Sequence, residues 1–228
     1  MRVRLPVRCL AAVFAATSIG VADGDDRPRC PMQPARVRLQ MPASGFTSLD
    51  EEAEIDCPGT LPASKWNRRP AGTVTLFVSA NGPSGSGRYW NLVVGIAKPQ
   101  QRKPIRGICL TASTLGWRTL QAYAGLPLKW IDDLDGDGKA ELIVWDSFSI
   151  GAGDLLGEYG LTAWVYRPVS EGTLSIDWLL SRRMARDVAT TYRMPPRSPD
   201  PGGIRAKAAA ALELFANERC VCGTDRTP

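Results

Sequence analysis

From residue 73 onward, short apolar or alternating stretches are cut apart by clusters of glycine, proline and serine, and this punctuation limits the fold more than any other feature. Strand signals fall at 73–78, 89–97, 105–111, 117–122, 128–131, 141–148, 160–167 and 174–180. Such runs are too brief for stable helices and fit half-buried or buried strands. The segments 81–87, 98–104 and 169–172 between them are turn material, and short strands joined this way form antiparallel hairpins. Upstream, 35–41 alternates as a further short strand, while 47–70 is acidic and then turn-rich. Only the end of the chain looks helical. Residues 181–189 suit a turn or two, and 204–217 (IRAKAAAALELFAN) is a full helix entered through Asp200, Pro201, Gly202 and Gly203. Its alanine-rich centre, with Leu212, Leu214 and Phe215, predicts one face packed on a sheet. The expected fold is mainly β (α+β), with antiparallel sheets and a C-terminal helix.

The first 22 residues read as a secretory signal peptide. Arg2, Arg4 and Arg8 precede the apolar run 10–19, the small residues Gly20, Val21 and Ala22 follow, and the acidic 23–26 comes next. No later stretch approaches the ~18 to 20 apolar residues of a membrane-spanning helix. Cleavage after Ala22 leaves a loose, proline-rich start within an N-terminal segment 23–70, followed by a β-rich domain 71–228. The formal charge is +5, from 28 Lys and Arg against 23 Asp and Glu. Three of those arginines lie in the leader, so the basic excess is mostly a targeting feature and not a nucleic-acid footprint.

Cys30, Cys57, Cys109, Cys220 and Cys222 remain beyond the leader, and in an oxidising compartment two disulfides plus one spare is the expected outcome. The favoured pairing is Cys30 with Cys57, and Cys109 with one of Cys220 and Cys222. The close pair Cys220 and Cys222 lacks a histidine or a second close pair and reads as structural. The chain contains no histidine. That excludes a Ser-His-Asp triad, a Cys-His dyad and a His-ligated zinc site built from this chain alone.

The clearest chemistry lies in 130–144. Asp133, Asp135 and Asp137 alternate, Gly136 and Gly138 supply sharp turns, and Glu141 closes the set. A hard cation needs six to eight oxygens at ~2.3 to 2.6 Å, and a tightly curved loop can aim alternate carboxylates inward while a main-chain carbonyl, here that of Lys139, fills a gap. An EF-hand is excluded: its twelfth place would be Val144 instead of glutamate, and the following Leu142, Ile143, Val144 and Trp145 belong to a strand.

The stretch resembles the calcium loop of the FG-GAP or VCBS repeats of integrin-type β-propellers, whose pattern is Asp-x-Asp-x-Asp-Gly-x-x-Asp/Glu followed by an apolar strand. The resemblance implies calcium held by the side chains of Asp133, Asp135, Asp137 and Glu141 and by the carbonyl of Lys139. It extends more weakly over 130–180 as one blade-like unit of loop and strands, with a degenerate unit at 73–122. A complete propeller of four or more blades at ~40 to 50 residues each would strain or exceed residues 23–228.

Other motifs lose to blander readings. The glycines of 151–157 lack the βαβ context of a dinucleotide site and fit a hairpin beside the loop. Lys98, Arg102, Lys103 and Arg106 surround Pro99 and Pro104 as a solvated hairpin tip, and Arg182, Arg183 and Arg186 form a basic face. The seven tryptophans are expected mostly in the core. Asp146 with Glu158 is a conceivable acid-base pair. The expectation is an exported, secreted or periplasmic, calcium-binding β module that is structural or binds a macromolecule, protein or glycan, without catalysis. It is expected neither to bind nucleic acid nor to enter the membrane once the leader is removed. The alternative is an exported hydrolase with structural calcium.

Overall fold

A computed structural model describes residues 27–50, 57, 65–81, 89–113, 128–150, 158–195 and 203–222. The expected leader 1–22, the strand expected at 117–122 and the glycine-rich 151–157 lie outside the described residues.

Among the described residues the fold is mainly β, with two five-stranded sheets and two helices. Strands β3 (Asn67–Ala71), β4 (Val74–Asn81), β5 (Tyr89–Ala97) and β6 (Arg106–Ser113) form an antiparallel meander, and β2 (Gly45–Ser48) lies parallel to β6. The second sheet is the antiparallel meander β7 (Ile131–Asp132), β8 (Glu141–Ser149), β9 (Tyr159–Ser170) and β10 (Thr173–Ile176), with β1 (Arg38–Gln40) antiparallel to β10. The segment 35–50 thus supplies a strand to each sheet. Neither β2 nor β3 was foreseen. β3 carries Pro70, which has no N–H for a ladder, and the sheet accepts it because β3 is an edge.

Alternation assigns the faces. Leu76 and Val78, Leu92 and Val94, and Ile108 and Leu110 share one face of the first sheet and join Leu142, Trp145, Leu161 and Ala163 of the second in one apolar core. Phe77, Val93 and Cys109, the odd residues of the first sheet, are equally buried on its other face. There Trp66 meets Phe77 edge-on at 6.1 Å, and Phe46 lies 6.3 Å from Trp66. The antiparallel pairing of β8 with β9 brings Phe148 opposite Gly160, where a Cβ would fall 2.4 Å from the Phe148 ring. It also means that β8 and β9 are not the two parallel strands of a βαβ unit.

Helix α1 (Trp178–Arg193) is a correction: the expected strand to residue 180 ends at Ile176, and the turn or two expected at 181–189 belongs to a 16-residue helix. Alternation of Leu174, Ile176, Trp178 and Leu180 mimics a strand, but Asp177 accepts the Leu180 N–H at 2.9 Å as an N-cap. Beyond it Ser181, Ala185, Val188, Ala189 and Tyr192 are buried at helical spacing. Helix α2 (Ile204–Ala216) agrees closely with expectation. Both pack on β9: Ser181 Oγ accepts the Val165 N–H and Tyr192 Oη the Leu161 N–H, each at 3.0 Å, and Phe215 lies 5.4 Å from Trp164. Buried Arg205 caps the end of α1 through the carbonyls of Thr191 and Met194.

The arithmetic of two disulfides and a spare thiol holds, but the pairing differs from the favoured one. Cys30 joins Cys220, Cys57 joins Cys109, and Cys222 is free. Cys109 faces away from the inter-sheet core, whereas the C-terminal segment runs beside residues 28–30, with Cys30 N–H donating to Val221 O and Val221 N–H to Pro28 O. Among the described residues no helix is long and apolar enough to cross a membrane.

Candidate metal centre

The loop 133–140 joins β7 to β8, and its residue types dictate its shape. Gly136 and Gly138 adopt φ of 78° and 81°, a region costly for residues with a Cβ. The chain thereby folds main-chain donors onto the acids before them. Asp133 accepts from Gly136 N–H at 2.8 Å and Gly138 N–H at 2.9 Å, Asp135 from Asp137 N–H at 3.2 Å, and Asp137 from Lys139 N–H at 2.8 Å. The far end of the loop is anchored by Ala140 N–H to Pro70 O at 2.8 Å, which ties it to the first sheet.

Carboxylate oxygens of Asp133, Asp135 and Glu141 lie within 4.8 Å of one another. Asp133 and Asp135 reach this group from the loop and Glu141 from the first residue of β8. Asp137 stands outside it and pairs with the Lys139 ammonium at 3.1 Å, while the Lys139 side chain remains largely exposed. The grouped acids could hold a metal ion: all three offer carboxylate oxygens, the donor type that hard divalent cations take.

Glu141 is almost wholly buried, and burial raises its pKa, opposed by the Leu134 N–H at 2.9 Å and by Arg167. A buried carboxylate requires a cationic or hydrogen-bonding partner. Arg167, on β9, is one: its Nε lies 3.1 Å from Glu141 and 3.2 Å from Asp177, and its guanidinium also bonds Asp135. That hydrogen bond is the main reason the Asp135 carboxyl lies below its ordinary value. Arg167 went unrecognised in the sequence. Its relation to Glu141 depends on the β8–β9 register, in which Leu142 faces Tyr166, and a lone strand arginine gives no sign of that.

The other motifs fall elsewhere. Residues 98–105 form the largely exposed β5–β6 connection, as expected of a solvated tip. Asp146 is not grouped with Glu158, whose carboxylate lies 4.0 Å from Lys207. Instead Asp146 and Asp50 line one small cavity of about 180 Å³ with Trp145, Trp164 and Tyr166. Burial pushes the Asp146 carboxyl upward, whereas Asp50 pairs with Arg36 at 3.0 Å and accepts the Thr111 hydroxyl at 2.7 Å. Cys222 lies within 4.8 Å of both sulfurs of the Cys30–Cys220 bond, and burial pushes its thiol up to about 12, which leaves little thiolate for exchange or metal binding.

Comparison of the chain with protein-family models, curated proteins and solved structures returns no match. The acidic loop and its surroundings are therefore the ground for any functional reading.

Proposed function

We propose that the protein is an exported, secreted or periplasmic β module that takes calcium in the 133–141 loop, similar to an FG-GAP or VCBS unit, and uses the stiffened surface to bind a macromolecule without catalysis. The observation that carries this reading is the convergence of Asp133, Asp135 and Glu141 on one point beside two left-handed glycines. Asp137 and the Lys139 carbonyl complete the proposed ligand set. The cation would neutralise carboxylates now shared with Arg167 and pin the loop to the start of β8.

Calorimetric titration of calcium into chelator-treated protein, with melting curves before and after, tests the metal. Stoichiometric binding with a raised Tm supports it, and an unchanged titration baseline rejects it. Saturable binding of a glycan or protein without turnover supports the module. A second reading, a hydrolase braced by the same cation, is favoured by Asp50 and Asp146 sharing one cavity. Turnover of glycosides or esters lost in Asp146→Asn would establish that reading in place of the first.

A further inference from the structure

The three closely spaced arginines of α1 play no part in the calcium reading, yet the fold gathers them. Arg182, Arg183 and Arg186 line a cleft of about 360 Å³ together with Arg167. The cleft lies between the acidic loop, the first turns of α1 and the end of α2. Its volume falls within the range of small-ligand pockets, and Leu179 and Leu180 add apolar wall.

The charges in this cleft are unequally satisfied. Arg167 is spent on Asp135, Glu141 and Asp177, and Arg182 pairs with Glu218 at 2.6 Å. Arg183 and Arg186 have no carboxylate partner among the described residues. Arg183 donates to the Leu134 carbonyl at 3.1 Å, and Arg186 to the Ala216 carbonyl at 3.3 Å. A main-chain carbonyl orients a guanidinium without neutralising it, and each guanidinium carries five donors, most of which these single bonds leave unused. Arg182 adds an Nε that is buried and has no acceptor. Leaving such a donor unmade costs about 1–3 kcal/mol. The C-terminal carbonyl end of α2, which would repel an anion, is already engaged by Arg186.

We infer that this cleft binds an oxyanion group, a carboxylate or a phosphate or sulfate ester, borne by a ligand of about monosaccharide size, with Arg183 and Arg186 as its principal donors and Arg182 beside them. Guanidinium forks match the geometry of these groups and hold them through paired hydrogen bonds. The inference goes beyond the calcium reading and does not depend on it, because none of the three arginines is a proposed metal ligand.

The test is titration of inorganic phosphate, sulfate and glucuronate into the full-length mature protein in chelator, followed by calorimetry or by chemical-shift changes. The comparison is with Arg183→Gln/Arg186→Gln, two exposed side chains, with its melting curve recorded to show that the fold is kept, and with Arg102→Gln/Lys103→Gln in the exposed β5–β6 connection, which does not line the cleft. Saturable binding of one or more of the three anions, weakened about ten-fold or more in the first variant and unchanged in the second, is the expected result. Preference for glucuronate over phosphate would identify a carboxylate source, and the reverse an ester. Absence of saturable binding of all three in the wild-type protein overturns the inference, as does equal loss in both variants, which would mean diffuse charge alone. Because the titration is run without calcium, its failure is distinct from failure of the metal site.

Discussion

The β3–β6 meander and the β7–β10 meander each turn one face to the shared core, and they differ in what closes the other face. On the first sheet the closure is local and covalent: Phe46, Trp66 and the Cys57–Cys109 bond lie over Phe77, Val93 and Cys109. On the second it is a layer of two helices, with Trp164, Trp178 and Phe215 packed edge to face. The difference explains where chemistry collects. A helix layer adds capped termini and long side chains that can reach a neighbouring loop, as Arg183 reaches Leu134. Among the described residues no helix covers the first sheet on that side. A polar site needs a rigid surround to hold its groups, and among the described residues the second sheet has a helical one.

The sharpest way to break the comparison is to remove the covalent closures. In the chain-entropy account the 52-residue separation of Cys57 and Cys109 is worth about 4 kcal/mol, and the 190-residue separation of Cys30 and Cys220 about 5 kcal/mol. Serine pairs at either bond should lower stability by several kcal/mol in chemical denaturation. If the first sheet relies on its bond as argued, Cys57→Ser/Cys109→Ser should also expose the face bearing Phe77 to hydrogen exchange, with the helix layer less affected. The helical closure is tested next. Phe215→Ala empties the contact with Trp164 and Trp178 and should cost about 3–5 kcal/mol. A much smaller loss would mean that α2 is a dispensable cover.

Calcium should produce a smaller and conditional effect. At one hundred times its Kd a ligand adds about 2.7 kcal/mol, and that increment should vanish in Asp135→Ala/Asp137→Ala. A response to chelator that survives in the double variant would place the metal elsewhere. The rise should also concentrate in the second sheet, whose first long strand begins at Glu141.

Much of this architecture is legible in the residues. The strands β5, β6, β8 and β9 follow from apolar runs bounded by turn residues, and α2 from its alanine content. The acidic loop declares itself because its alternating carboxylates and glycines are local in sequence. What stayed hidden depends on pairing between distant segments. β2 has no pattern of its own and exists because β6 offers an edge. The start of α1 is masked because an alternating stretch continues through Asp177, whose capping role only the geometry reveals. The disulfide pairing could not be read because which face of β6 carries Cys109 is fixed by register, and Arg167 was missed for the same reason.

Titration offers the finest distinction, between the second sheet and the loop that leads into β8. Asp135 and Asp146 lie eleven positions apart and respond to folding in opposite directions. Arg167 lowers the Asp135 carboxyl from its ordinary 3.8, so the native state holds fewer protons there than the unfolded chain; the stability it lends is present above that value and is lost as pH falls through the native one. Burial raises Asp146 from the same 3.8, so the native state keeps a proton that the unfolded chain has released. Its effect runs the other way: stability is fullest below 3.8 and declines as pH climbs through the raised value. Denaturation midpoints measured in chelator from about pH 3 to about pH 7 separate the two groups. Asp146→Asn should flatten the decline on the rising side of that window, and Asp135→Asn should remove the loss on the acid side. Identical profiles for Asp146→Asn and the wild type would mean that the carboxyl is solvated in the native state, and would remove the ground for treating the Asp50–Asp146 cavity as an acid-base site.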